Sequence, residues 1–88
     1  LFDLTPAEAG AVMQTAQHVA LAVRAAFAPE GLNLFQANGA VAGQTVGHFH
    51  IHVLPRHAGD GVDLAWPRKD PGPDVLNEYA AQLRAVLK

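Results

Sequence analysis

The segment Gln44-Thr45-Val46-Gly47-His48-Phe49-His50-Ile51-His52-Val53-Leu54 decides how this chain is read. From Thr45 it is rich in β-branched and aromatic residues and it runs up to Pro55, which predicts a strand over Thr45–Leu54. Side chains two apart on a strand share a face. On that reading His48, His50 and His52 project together, while Phe49, Ile51 and Val53 point the other way into a core. A face of three histidines opposite an apolar face is hard to attribute to packing.

Three readings of the row compete. Neighbouring histidines lie ~7 Å apart along a strand and could share a metal ion, but the outer pair is ~13 Å apart, beyond one zinc ion with ~2 Å bonds. The chain has no cysteine to help, so Asp60 or Asp63 would have to complete such a site. The second reading leaves the three as half-solvated strand side chains without a task. The third is phosphoryl chemistry. A neutral imidazole, with an ordinary pKa of ~6.5, is a competent nucleophile toward phosphorus near neutral pH. It needs one nitrogen lone pair aimed at phosphorus and the proton of the other nitrogen held by an acceptor. A neighbouring imidazolium would stabilise charge on the phosphate oxygens, and glycines at positions such as Gly43 and Gly47 let backbone approach a bulky anion.

Upstream of this segment, Gly31 to Asn38 alternates, with Leu32, Leu34 and Phe35 apolar, and suits a first strand. Asn38-Gly39 is a turn pair and Gly39 to Gly43 a flexible connection, so the two strands form a hairpin with a loop of about five residues. Before it, Thr5-Pro6-Ala7-Glu8 is a helix start: Thr5 caps, Pro6 takes the first helical position and Glu8 closes a capping box. Val12, Ala16, Val19, Ala20, Val23 and Phe27 then recur as one buried stripe. This predicts an amphipathic helix over about residues 6 to 28, ended by Pro29 acting on Ala28, with Gly31 completing the turn. His18 lies beside the stripe and reads as a surface or boundary residue. Downstream, Arg56 to Gly72 reads as irregular loop. Val75, Leu76, Tyr79, Ala80, Leu83, Val86 and Leu87 restore helical spacing, with Asp74 as the cap. The expected architecture is α+β, an antiparallel sheet with one long helix packed on it and a C-terminal helix, in a single domain over residues 1–88.

The stretch Ala42-Gly43-Gln44-Thr45-Val46-Gly47-His48-Phe49-His50-Ile51-His52-Val53-Leu54-Pro55-Arg56 resembles the signature of the histidine-triad (HIT) family, His-φ-His-φ-His-φ-φ with φ apolar. Leu1-Phe2-Asp3-Leu4-Thr5-Pro6 before the first helix fits as well, so the resemblance covers essentially the whole chain. It implies hydrolysis or transfer at the α-phosphorus of a nucleoside phosphoramidate or dinucleoside polyphosphate, through a nucleotidyl-histidine intermediate. His50 would attack, the backbone carbonyl of His48 would hold the proton of the other His50 nitrogen, and His52 would contact the phosphate. Gln44 and Thr45 would hold phosphate or leaving-group oxygens, and Asn38 would face the phosphates. The resemblance also implies a nucleotide or nucleotide-conjugate substrate and a homodimer. With nothing in the sequence arguing for export and the histidine spacing against one shared ion, the expectation is a cytoplasmic setting and no cofactor or resident metal. A nucleotide-binding or scaffolding module without turnover is the rival reading, and a metal-binding module the third.

Two departures from the family pattern stand out. Ala37 falls where the fragile-histidine-triad branch carries a glutamine, although Ala42-Gly43-Gln44-Thr45-Val46 and Leu54-Pro55-Arg56 resemble that branch. Family domains also begin with further strands that supply much of the base and ribose pocket. The opening Leu1-Phe2-Asp3-Leu4, without Met, fits the expectation of a C-terminal piece of a longer domain. Among single residues, Arg56 is read equally as an anion-steering or a solvated side chain, and His57 as a solvated loop histidine. Trp66-Pro67 resembles a pair that packs near the partner's site in the phosphoramidase branch, with core packing an equal reading.

Composition narrows the remaining classes. Half of the 88 residues are hydrophobic, 16% are charged and the formal charge is −2, so the chain is globular and has no electrostatic footprint for duplex nucleic acid. A chain this short buries only roughly 60–65% of its unfolded surface. The longest apolar-leaning stretch, Val19 to Pro29, is interrupted by Arg24 and is too short to span a membrane, and no signal-peptide pattern opens the chain.

Overall fold

The computed structural model describes residues 1–87. The order is α1 (Pro6–Phe27), β1 (Gly31–Phe35), a 3-10 turn (Ala40–Ala42), β2 (His52–Arg56) and α2 (Pro73–Val86). The first helix starts as its sequence dictates. Thr5 Oγ1 accepts from the Glu8 N–H at 3.1 Å and Glu8 Oε1 accepts from the Thr5 N–H at 2.9 Å, closing the capping box with Pro6 inside it. The Thr5 N–H first, and then the Thr5 hydroxyl, hold the Glu8 carboxyl below its ordinary pKa. The helix ends at Phe27, one residue short of the expected limit. Ala28 turns left-handed at φ 46° and ψ 51°, so its N–H closes on the Arg24 carbonyl at 3.1 Å while the chain reverses toward β1.

β1 and β2 pair antiparallel, with Phe35 opposite His52, Asn33 opposite Leu54 and Gly31 opposite Arg56. The hairpin is shorter and shifted relative to expectation. β1 stops at Phe35 rather than Asn38, and β2 begins at His52 rather than Thr45 and continues through Pro55 to Arg56. A ladder needs a partner. Beyond Phe35 the Gln36–Asn38 stretch bonds to itself through side-chain amides, leaving Thr45–Ile51 nothing to pair with. Pro55 is tolerated because a two-stranded sheet consists of edge strands only.

α1 lies against β2, with Ile51 and Val53 facing Val12, Ala16 and Val19. Ala16, 5% exposed, is the one buried hydrophobic residue among those described. Size explains the rest. Twenty-two helical residues span ~33 Å and a five-residue strand ~17 Å, so the apolar stripe outruns the sheet. Val12, Ala20 and Val23 are half-buried, while Val19 and Phe27, expected in the buried stripe, are exposed, Val19 at the margin of the contact with β2 and Phe27 with nothing described to reach it.

The second helix is capped by Gly72, with Pro73 preset at the first helical position, so Asp74 sits in the first turn instead of capping. Its spacing defines an apolar face, but no described element covers most of it. Tyr79, Leu83 and Val86 are exposed, contrary to a buried stripe. Trp66, in the long loop, is 76% exposed and packs in no core. The Cα radius of gyration is 16.9 Å, against about 12 Å for a compact chain of this length, in keeping with these uncovered faces. No helix among the described residues is long and apolar enough to cross a membrane.

Candidate active site

The histidine row sits where the hairpin opens. His52 is the first paired residue of β2, its ring 6.2 Å from that of Phe35 across the ladder. His50 and His48 precede it on unpaired chain, so the expected continuous strand does not carry them. The rings nevertheless run in sequence, 6.2 Å between the centroids of His48 and His50 and 4.9 Å between those of His50 and His52, each pair edge to face. His50 is half-buried and its two neighbours are exposed. Phe49, Ile51 and Val53 are also half-buried, and the latter two face α1. The expected alternation holds for Ile51 and Val53 but not for Phe49, which lines the same cleft as His48 because this stretch is unpaired.

The bond that matters most for chemistry is local. His50 Nδ1 lies 2.9 Å from the backbone oxygen of His48. A carbonyl only accepts, so Nδ1 carries the proton in this contact, and Nε2 of a neutral ring keeps its lone pair. The assignment comes from the partner, which has no hydrogen to give.

The loop before the row closes on Gly39. Its carbonyl accepts from Ala42 N at 3.1 Å and from Gln44 N at 3.2 Å, and its own N–H donates to Gln44 Oε1 at 2.7 Å. Gln44 is half-buried and its oxygen is thereby occupied, leaving its Nε2 as the free end; Thr45 beside it is exposed. Asn38 and Gln36, both half-buried, exchange two amide bonds of 2.8 Å, and Asn38 Oδ1 also accepts from the Leu1 nitrogen at 3.1 Å. Asn38, Gln44, Gly47 and His48 line one open cleft of about 470 Å³, with Leu1 and Phe2 on its apolar side. His50 and His52 stand outside that lining. The structure thus brings Asn38, Gln44 and His48 together directly, and His50 and His52 through the ring row.

Arg56 is not a free solvated side chain but is bonded within the fold. Its guanidinium donates to Asp60 at 2.7 and 3.3 Å, to Asn33 Oδ1 at 2.8 Å and to the Val62 carbonyl at 3.1 Å. Asp60 also accepts from the His57 and Val62 N–H groups. The Arg56 hydrogen bond first, then these backbone donors, hold the Asp60 carboxyl far below the ordinary carboxylate range. Asp60 is thus committed to closing the 57–62 loop, and Asp63 Oδ1 accepts from Ala65 N at 2.9 Å. Among the described residues no three of His, Cys, Asp and Glu converge as a metal site. His57 is exposed, its Nδ1 3.9 Å from Glu30.

Sequence reasoning missed two features here. The Arg56–Asp60 pair had a signal, four residues apart around a Gly-containing turn. The Gln36–Asn38 pair had none, since two amides two residues apart bond only if the chain turns between them.

Fold and site together define a small α+β unit that sets a row of histidines beside a loop whose amide oxygens are already bonded internally. The family profile of the HIT domain matches residues 1–59, and the chain belongs to that family. It is 37% identical over 90 residues to the Protein hit of Bacillus subtilis, covering 99% of this chain and 62% of that protein. It is also 36% identical to the bifunctional bis(5'-adenosyl)-triphosphatase/adenylylsulfatase of Arabidopsis thaliana, over 97% of this chain and 44% of that one. An adenosine 5'-monophosphoramidase of Schizosaccharomyces pombe is 30% identical over 75% of this chain and 50% of its own length. The crystal structure of a HIT family protein from Bacillus anthracis superposes with a TM-score of 0.92 at 35% identity, over 100% of this chain and 64% of that one. The chain therefore spans about 62% or less of these curated relatives.

Proposed function

We propose that this chain carries the reactive part of a nucleotide hydrolase or transferase acting at the α-phosphorus of a nucleoside phosphoramidate or dinucleoside polyphosphate. The observation that carries the reading is the 2.9 Å contact of His50 Nδ1 with the His48 carbonyl, which leaves Nε2 of a neutral ring as the nucleophile. The Nε2 lone pair forms a bond to phosphorus. The bond from phosphorus to the leaving group breaks, and the leaving group departs with the electron pair and takes up a proton. Water then attacks the phosphorus of the nucleotidyl-His50, losing its proton. The nitrogen–phosphorus bond breaks back to His50, and a nucleoside monophosphate is released.

In this reading His52, whose ring stands 4.9 Å from that of His50, contacts the phosphate, and His48 orients the nucleophile through its backbone. Gln44, Thr45 and Asn38 hold substrate oxygens. Relatives named as a monophosphoramidase and an adenosyl-triphosphatase support the nucleotide substrate class. Incubation with an adenosine phosphoramidate followed by mass spectrometry tests it. The expected result is an adenylyl adduct on His50, with the adduct and turnover both abolished in His50→Ala. Turnover retained in His50→Ala ends the mechanism, and nucleotide binding without adduct or turnover replaces it by a binding module.

A further inference from the structure

We infer that Gln36 is a positioning residue that fixes the polarity of Asn38, so that Asn38 meets a substrate phosphate as a hydrogen-bond donor. This rests on the functional reading above and goes beyond it, because that reading gives Gln36 no part. An asparagine amide can present either end, and a wrongly turned one would aim its oxygen at an anion. The structure contains a chain of bonds that removes the choice. Gln36 Nε2 lies 3.0 Å from the Ala37 backbone oxygen, which only accepts, so this end of the Gln36 amide must be the nitrogen. Gln36 Oε1 is then the acceptor for Asn38 Nδ2 at 2.8 Å, and Gln36 Nε2 gives its other hydrogen to Asn38 Oδ1 at 2.8 Å. Reciprocal bonding of two amides satisfies one donor and one acceptor on each. The Leu1 nitrogen, 3.1 Å from Asn38 Oδ1, also marks that end as the oxygen, while among the described residues Gln36 alone engages Nδ2.

The second Nδ2 hydrogen of Asn38 has no partner among the described residues. It belongs to a half-buried side chain lining the cleft shared with Gln44 and His48. Gln44 is arranged by the same logic, its oxygen held by the Gly39 N–H and its nitrogen left over. Two amides with occupied oxygens and unspent N–H groups suit an anion and disfavour a cation.

The test uses the full chain with adenosine monophosphate, and adenosine as the control lacking phosphate. Gln36→Met keeps length but removes both amide bonds. It is expected to weaken adenosine monophosphate binding about tenfold, the scale of one lost oriented hydrogen bond to a charged group, and to leave adenosine binding unchanged. In an Asn38→Ala background the same substitution is expected to have no effect, since Gln36 acts only through Asn38. A merely structural role would weaken both ligands and persist in that background; either outcome overturns the inference. If Gln36→Met does not fold, NMR of the wild-type Asn38 side-chain amide decides. One Nδ2 proton protected and the other shifting with adenosine monophosphate supports the proposal, and two equivalent, unresponsive protons overturn it. Failure of the wild type to bind adenosine monophosphate removes the functional reading itself. Binding that is blind to Gln36 removes this inference alone.

Discussion

The loop before the histidine row contains two glycines that the sequence treats alike and the structure does not. Gly43 sits at φ 94° and ψ 13°, in the left-handed region, where its N–H closes on the Ala40 carbonyl at 3.0 Å. Gly47 has no such conformation, and a Cβ added to either residue meets nothing within 4 Å. Gly43→Ala therefore acts through backbone strain alone and costs ~1–2 kcal/mol. Gly47→Ala leaves stability neutral or raises it by up to ~1 kcal/mol, by restricting the unfolded chain. The expected gap is thus about 2 kcal/mol, a factor of ~30 in an equilibrium constant. Gly43→Asn falls between them, since asparagine visits the left-handed region more readily. Urea denaturation of the four proteins measures the gap, and hydrogen exchange at the Gly43 and Gln44 amides locates it. Equal midpoints for Gly43→Ala and Gly47→Ala would refute the reasoning. If Gly47 instead serves close approach of an anion, its alanine variant shows a raised KM without a loss of stability.

Two further outcomes follow from the caps and the 57–62 loop. Thr5→Ala removes one half of the capping box and is expected to cost ~1 kcal/mol, with Thr5→Ser restoring most of it; thermal melts by circular dichroism check this, and an unchanged Tm counts against it. Asp60 is held ionised by Arg56 and by the Val62 and His57 N–H groups. Its folded-state pKa is depressed, so its contribution is fully present above the unfolded carboxylate value of ~3.9 and is lost only as pH falls through the lower folded value. The amide signals of His57 and Val62 should then hold their native positions through pH ~4 and move only in stronger acid. A midpoint near an ordinary aspartate value would contradict the assigned hydrogen bonds.

What was readable from the sequence divides along local and non-local lines. The capping box needs only residues three apart, and Thr5, Pro6 and Glu8 stand as their identities require. The hairpin and its antiparallel pairing followed from two apolar runs around a turn pair, but strand length did not. Thr45–Ile51 has strand-forming residues, yet its partner would have been Gln36–Asn38, which is engaged with itself. The spacing of Phe27, Tyr79 and Leu83 showed which face of each helix is apolar and could not show what covers it. Gly72 displaced Asp74 as a cap because Pro73 already sets the first helical turn. At the site, the approach of the His48 carbonyl to His50 Nδ1 needs only two residues of chain and matches what the family resemblance implied. The bonds of Arg56 to Asp60 are local, whereas its bond to Asn33, twenty-three positions away, was invisible until the strands were paired.

His48 and His50 lie ahead of the first rung of the ladder, and this divides the site's dependence on the rest of the fold. The aim of the central imidazole is written into three consecutive residues and survives loosening of the hairpin. The distance from that imidazole to the amides of Asn38 and Gln44 is set across the chain reversal and does not. Damage to the hairpin should therefore blur where a bound phosphate rests well before it disturbs the ring poised to receive it.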